Sequence, residues 1–128
     1  MANSNAVGWF EIPVTDMERA IKFYQNVFKV ELARNEVGGL VMAWFPWVEG
    51  GTGAAGSLVY EKERYKPSKD GVLIYFTSQA GDVADELSRV EAEGGKMLLP
   101  KTLITEDIGY MGVFIDSEGN RIAVHSRT

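Results

Sequence analysis

The order of strand-like and helix-like segments is the same in the two halves of this chain. Alternating apolar residues predict strands, and an apolar stripe at helical spacing predicts one helix in each half. The predicted strands cover residues 7–14, 30–33, 40–45, 55–60, 72–77, 96–99, 109–115 and 121–126, and the predicted helices cover 17–28 and 82–93. Each half therefore has the order βαβββ. One such half cannot easily cover its own sheet, so we expect the two halves to share a core and leave a groove.

The ends of both helices carry recognisable signals. Thr15 and Glu18 have the spacing of a capping box, in which the Thr side chain would cap the first helix. Gly94 and Gly95 predict the end of the second helix, because glycine accepts the left-handed conformation of a helix C-terminus. Pro100 predicts the end of the short strand at 96–99.

Length and charge restrict the class of protein. The chain has 128 residues, which predicts a single domain over 1–128, with module one at about 6–62, a linker at about 63–70 and module two at about 71–127. The net charge is −5 and no cluster of Lys or Arg occurs, so nucleic acid is an unexpected partner.

The remaining bulk features point to a reducing compartment. The sequence contains no cysteine, which excludes disulfides, thiolate metal sites and cysteine nucleophiles. It also lacks a secretory signal pattern and any apolar stretch long enough to span a bilayer. We therefore expect a cytoplasmic protein without a membrane partner.

Several motifs resemble the vicinal oxygen chelate superfamily, which includes glyoxalase I, extradiol dioxygenases, and fosfomycin- and bleomycin-resistance proteins. The motifs lie at residues 10–20, 23–24, 27–28, 90–95, 100–101 and 116–122, and the Asp-x-Glu-Gly-Asn turn at 116–120 is the most specific of them. The resemblance implies an α+β fold of two tandem βαβββ modules that form a shared, partly open barrel-like cleft. It also implies a homodimer and a small-molecule ligand.

The metal ligands of that superfamily do not carry over to this sequence. Their four positions correspond to Trp9, Ser57, Val72 or Leu73, and Ala123. Indole and alkyl groups cannot coordinate a metal, and a Ser hydroxyl is at best a weak ligand. The resemblance implies a divalent metal for the superfamily's enzymes, but these residues lead us to expect no metal site and no other cofactor in this chain.

Two side chains of the first strand are expected to face the cleft. Trp9 could stack on an aromatic or cationic ligand, or simply fill the barrel. Glu11 could act as a general base or hold a cationic ligand, or instead pair with a buried Arg or a backbone amide. The other face of this strand, with Phe10, Ile12 and Val14, is predicted to pack under the first helix.

The second half supplies further candidates. His125 is the only histidine, and imidazole can serve as an acid or a base, although a lone His near a chain end is more often structural. Tyr75 is a candidate hydrogen-bonding group. The predicted ligand-binding set is Trp9, Glu11, Ser57, Leu73, Tyr75, Ala123 and His125, of which Glu11 and His125 are also the catalytic candidates.

Three functions remain open at this point. The first is a metal-free protein that binds a small apolar, aromatic or cationic molecule in the cleft. The second is an enzyme, either a glyoxalase-type lyase or dioxygenase or a metal-independent one with Glu11 as base and His125 or Tyr75 as acid. The third is a module that binds another protein through its sheet face or an exposed aromatic patch.

Overall fold

Two four-stranded sheets and two helices form the part of the chain that the computed structural model describes, residues 3–128. The elements in chain order are β1 (Phe10–Pro13), α1 (Met17–Phe28), β2 (Ala33–Val37), β3 (Leu40–Trp44), β4 (Gly56–Tyr60), β5 (Ile74–Thr77), α2 (Val83–Val90), β6 (Lys96–Thr105), β7 (Gly109–Ile115) and β8 (Arg121–Ser126). The strand orders are β1-β4-β3-β2 and β5-β8-β7-β6. The predicted α+β class with two βαβββ modules is confirmed, with sheets that do not close into a barrel.

The first strand of each module lies at an edge of its sheet. β1 pairs in parallel with β4, and β5 pairs in parallel with β8. The Cα atoms of β1 and β5 stay more than 8 Å apart, so these two edges do not join the sheets. A gap between β1 and β5 is left open to solvent.

The core lies between the sheets and their helices. α1 presents its apolar stripe to β3 and β4, and it also packs against α2. Ile12 and Val14 are buried in the core cluster that also contains the inner face of α1. Phe28 stacks on Phe76 with 4.6 Å between ring centroids, so the aromatic side chains connect the two modules.

The first helix begins one residue later than the capping-box prediction implies. Asp16, not Thr15, is the N-cap, and its side chain accepts a hydrogen bond from the backbone N–H of Arg19 at 3.1 Å. The hydroxyl of Thr15 instead donates to Glu118 at 3.0 Å. The Thr15 side chain therefore bonds to a carboxylate of module two and does not cap the helix.

Three strand predictions also need correction. β1 begins at Phe10 and not at residue 7, and β2 lies at Ala33–Val37 instead of 30–33. β6 continues through Pro100 to Thr105, although its register with β7 is irregular. Pro100 is tolerated because β6 is an edge strand, where a missing N–H costs no ladder hydrogen bond.

Neither helix described for residues 3–128 is long and apolar enough to cross a membrane.

Candidate functional site

A pocket of about 650 Å³ lies between the edge strands β1 and β5. This volume is in the range of small-molecule sites. The loop that connects β3 to β4 forms one wall, with Pro46, Trp47 and residues 51–55 in contact with the pocket. The pocket therefore draws its lining from both modules, because the two edge strands belong to different sheets.

Aromatic rings form the floor of the pocket. The ring centroids of Phe10, Phe45 and Phe76 lie 5.4–5.6 Å apart in each pairing, mostly with one ring edge directed at the face of another. Phe10 also packs directly over Gly56, whose missing side chain leaves room for the ring. The floor is thus apolar and well supported from below.

Glu11 is the one charged side chain among the residues described as lining the pocket. Its Oε1 accepts a hydrogen bond from the Tyr65 hydroxyl at 2.7 Å, and its Oε2 lies 3.4 Å from Nε1 of Trp9. The hydrogen bond to Glu11 raises the pKa of Tyr65 above its usual value, so the phenol remains a donor. The carboxylate is therefore held in one orientation by two neutral groups.

A tight turn after β4 places Tyr65 over Glu11. Glu61 accepts hydrogen bonds from the backbone N–H groups of Glu63 and Arg64 at 2.9 and 2.7 Å. The backbone N–H of Tyr65 donates to the carbonyl of Glu61. These hydrogen bonds close the turn and direct the phenol back toward β1.

The structure brings four of the predicted ligand-binding residues to the pocket. Trp9, Glu11, Leu73 and Tyr75 all line it, and Trp9 is fixed further by an edge-to-face contact with Trp44, with ring centroids 5.6 Å apart. Their role in binding remains a prediction.

The other three predicted residues lie outside the pocket lining. Ser57 is fully buried, and its hydroxyl lies 3.1 Å from the carbonyl oxygen of Ala43 and 2.6 Å from that of Leu58. Ala123 is also fully buried. Nε2 of His125 lies 2.6 Å from the carbonyl oxygen of Ile108. Because a carbonyl oxygen only accepts, this ring nitrogen is the hydrogen-bond donor.

The residues at the superfamily's metal positions do not fit a metal ion. The side chains of Trp9, Val72, Leu73 and Ala123 have no donor atom for a cation, and the Ser57 hydroxyl is hydrogen-bonded to backbone carbonyls. Within residues 3–128, no three His, Cys, Asp or Glu side chains come together in a way that could hold a metal.

Tyr65 and the aromatic floor are not predicted by the sequence analysis. Residue 65 falls in the charged stretch that is predicted as a linker, and a hydrogen bond between residues 54 positions apart leaves no local pattern. Strand alternation predicts Phe10 to pack under the first helix and leaves open which face of the 72–77 strand, that of Tyr75 or that of Phe76, borders the cleft. Phe10 and Phe76 both reach the pocket because β1 and β5 are edge strands.

Comparison with protein families identifies the fold with a known group. Residues 6–124 match the family model of the Glyoxalase/Bleomycin resistance protein/Dioxygenase superfamily. The chain belongs to this superfamily. Among curated proteins, none matches its sequence.

Solved structures of the superfamily share the fold at low sequence identity. A glyoxalase/bleomycin resistance protein from Albidiferax ferrireducens is 16% identical, with a TM-score of 0.71 over 97% of this chain and 100% of that one. A fosfomycin resistance protein from Listeria monocytogenes is 19% identical, with a TM-score of 0.67 over 99% and 94%.

A variant of glyoxalase I from Zea mays is 20% identical, with a TM-score of 0.71 over 94% of this chain. This chain spans 46% of that protein, less than half of its length. At these identities the likeness shows the fold alone.

Proposed function

We propose that this member of the superfamily binds a small, largely apolar molecule in the pocket between β1 and β5, without a metal. The observation that carries the proposal is the pocket itself: about 650 Å³, an aromatic floor and one charged side chain. The apolar lining supplies binding energy through area removed from water, and a few polar groups fix the orientation. The class of ligand is apolar, aromatic or cationic.

Calorimetric titration of the protein with 2-naphthylmethanol tests the proposal. Ala54 lines the pocket, so Ala54→Phe fills it and is expected to weaken binding at least about tenfold, or 1.4 kcal/mol. Ala84→Phe adds the same ring at an exposed site on α2 and is the matched control. Failure of 2-naphthylmethanol and of a wider set of neutral and cationic aromatic probes to bind the unaltered protein would overturn the proposal.

The metal-free part of the proposal has a separate test. Metal content is measured by mass spectrometry, and Zn²⁺, Ni²⁺ and Mn²⁺ are then titrated by calorimetry. The donor chemistry at Trp9, Ser57, Leu73 and Ala123 leads us to expect no stoichiometric binding. Stoichiometric binding of one ion would show that the ligand positions are wrong, and a glyoxalase-type lyase or dioxygenase would become the better proposal.

A metal-independent enzyme is the second candidate, favoured by the placement of Glu11. A carboxylate in an apolar pocket can accept a proton from a ligand, and the Tyr65 hydroxyl already lies 2.7 Å from it. Tyr75 or His125 is the predicted acid, and Nε2 of His125 would first have to give up its hydrogen bond to the carbonyl of Ile108. Turnover that is unchanged in both Glu11→Gln and His125→Ala would contradict this assignment.

We also propose that the protein is a homodimer in the cytoplasm. Apolar side chains on the edge strand β6 and just after it are substantially exposed, which favours burial against another copy or another protein; they are Leu98, Leu103, Ile104 and Ile108. Light scattering tests the oligomeric state. If the protein is a monomer at micromolar concentration, the homodimer proposal is wrong and this exposed apolar surface would have to bind another protein.

A further inference from the structure

We infer that the pocket selects an organic ammonium ion with an aromatic or alkyl body, and that Glu11 and Trp9 recognise its charge. This inference rests on the proposed binding function and narrows its ligand to one charge class. It comes from the distribution of charge around the pocket.

Among residues 3–128, the negative charge of Glu11 has no counter-ion. No Lys, Arg or His is among the residues that line the pocket, and Glu11 takes part in none of the ion pairs described for residues 3–128. Tyr65 and Trp9 are neutral donors, so they orient the carboxylate without compensating its charge. A ligand that carries a positive charge would supply the missing partner in a partly desolvated setting.

The carboxylate has capacity left for such a ligand. An ionised carboxyl group offers about four lone-pair positions, and Tyr65 and Trp9 occupy one on each oxygen. The remaining positions can accept hydrogen bonds from a primary ammonium group. The hydrogen bond from Tyr65 at 2.7 Å prevents the side chain from rotating away from this geometry.

Trp9 adds a second element that favours cations. Trp9 is 41% exposed and lines the pocket, and the edge-to-face contact of its indole with Trp44 fixes the orientation of the ring. The face of an indole attracts a cation within about 6 Å, and Trp is the best of the aromatic residues for this interaction. A ligand cation close to Glu11 is therefore also close to an aromatic ring.

A second groove of the protein has the opposite charge. It has a volume of about 500 Å³ and is lined by Lys69, Lys96 and Arg121 together with Asp70. Anions would therefore bind more favourably in this groove than beside Glu11. The two grooves thus predict different positions for ligands of opposite charge.

Three probes with the same ring system and different charges test the inference: 2-naphthylmethylammonium, 2-naphthylmethanol and 2-naphthoate. We expect the ammonium ion to bind at least about tenfold tighter than the alcohol, and 2-naphthoate to bind most weakly at this pocket. NMR shift changes at the Trp9 indole N–H report the position of each probe.

Glu11→Gln keeps the shape of the side chain and removes its charge. It should reduce ammonium affinity at least about tenfold while leaving the affinity for the alcohol within about twofold. Glu49→Gln is the matched control, because Glu49 also approaches a Trp Nε1 (that of Trp47, at 3.5 Å) but does not line the pocket. Circular dichroism of both variants checks that they are folded.

The outcomes separate this inference from the proposed function. Equal affinity for the ammonium ion and the alcohol, both abolished by Ala54→Phe, would leave the binding function standing and overturn the preference for cations. The preference for cations is also overturned if Glu11→Gln weakens both probes equally. Failure of all three probes to bind would count against the binding function itself.

Discussion

Glu118 in the turn between β7 and β8 accepts hydrogen bonds from the Arg19 side chain on α1 at 2.7 and 2.9 Å, across 99 positions of sequence. The backbone N–H groups of Thr15 and Asp16 also donate to its Oε1, each at 2.9 Å. Burial opposes ionisation of this side chain, but the hydrogen bonds from Arg19, Asp16 and Thr15 outweigh it and lower the pKa of Glu118 from 4.5 to about 2. The turn of module two thus anchors the start of the helix in module one.

This contact predicts a loss of stability in acid. A carboxyl group with a pKa of about 2 in the folded state and 4.5 in the unfolded state contributes at most about 3 kcal/mol, and solvent screening around the half-exposed Arg19 side chain reduces this contribution. Because the folded-state pKa is the lower one, the contribution is complete above pH 4.5 and is lost as the pH falls toward 2. Glu118→Gln should lower the free energy of unfolding at pH 7 by up to this amount and make that free energy less dependent on pH below 4.5.

Urea unfolding across that pH range checks the prediction. Glu36→Gln on the exposed face of β2 is the control and should follow the unaltered protein. An acid transition that is equally steep in Glu118→Gln would show that other carboxyl groups determine it.

The neighbouring buried pair predicts a different pH dependence. The hydroxyl of Tyr24 donates to Asp116 at 2.5 Å, and both side chains are almost completely buried. Burial raises the pKa of Asp116, although the hydrogen bonds from Tyr24 and Asn120 counteract it. Tyr24→Phe removes a donor from this carboxylate and should cost about 1–3 kcal/mol at pH 7.

The cost of Tyr24→Phe should shrink in acid. Loss of the donor raises the pKa of Asp116 further. A carboxyl group whose pKa is raised in the folded state favours folding at low pH, and this contribution is lost as the pH rises through the folded-state pKa. Unfolding of the variant at neutral and acidic pH measures this difference. Tyr110→Phe is the control, because no hydrogen bond to a carboxylate is found for this phenol among residues 3–128. An equal loss of stability at both pH values in Tyr24→Phe would contradict the assignment.

The sequence predicted the order of elements because hydrophobic periodicity and turn residues are local signals. It could not predict contacts in which a distant residue replaces a local one. Thr15 has the spacing of a helix cap, but its hydroxyl donates a hydrogen bond to Glu118, and Asp16 is the N-cap. In the same way, Tyr65 reaches Glu11 only through the turn at Glu61, so the charged stretch gave no sign of a site residue.

The contact between Tyr65 and Glu11 can be followed by titration of the phenol. The hydrogen bond to the carboxylate is the main cause of the raised pKa of Tyr65. Glu11→Gln leaves a neutral acceptor and should lower that pKa toward its ordinary value, so one tyrosine ionises at a lower pH. Alkaline titration of the tyrosinate absorbance detects the change. In the Tyr65→Phe background, Glu11→Gln should leave the alkaline titration of the remaining tyrosines unchanged. A change in that background would assign the pKa shift to another tyrosine.

Gly56 supports the pocket floor from the sheet beneath it. A Cβ atom at this position would lie 2.4 Å from Cδ2 of Phe10, well inside the contact distance. Gly56→Ala must therefore displace the Phe10 ring from its packing against Phe45 and Phe76, and overpacking of this kind costs about 1–3 kcal/mol. The displaced ring should also weaken binding of 2-naphthylmethanol, because the floor of the pocket changes shape.

Denaturant unfolding and calorimetry measure both effects of Gly56→Ala. Gly8→Ala is the control, since a Cβ atom there meets no other heavy atom within 4 Å. In a Phe10→Leu background the smaller side chain leaves space, so the stability cost of Gly56→Ala should fall, and the coupling energy of the double mutant measures the contact. A cost that is the same in both backgrounds would mean that the ring does not depend on Gly56, and the pocket floor would then rest on Phe45 and Phe76 alone.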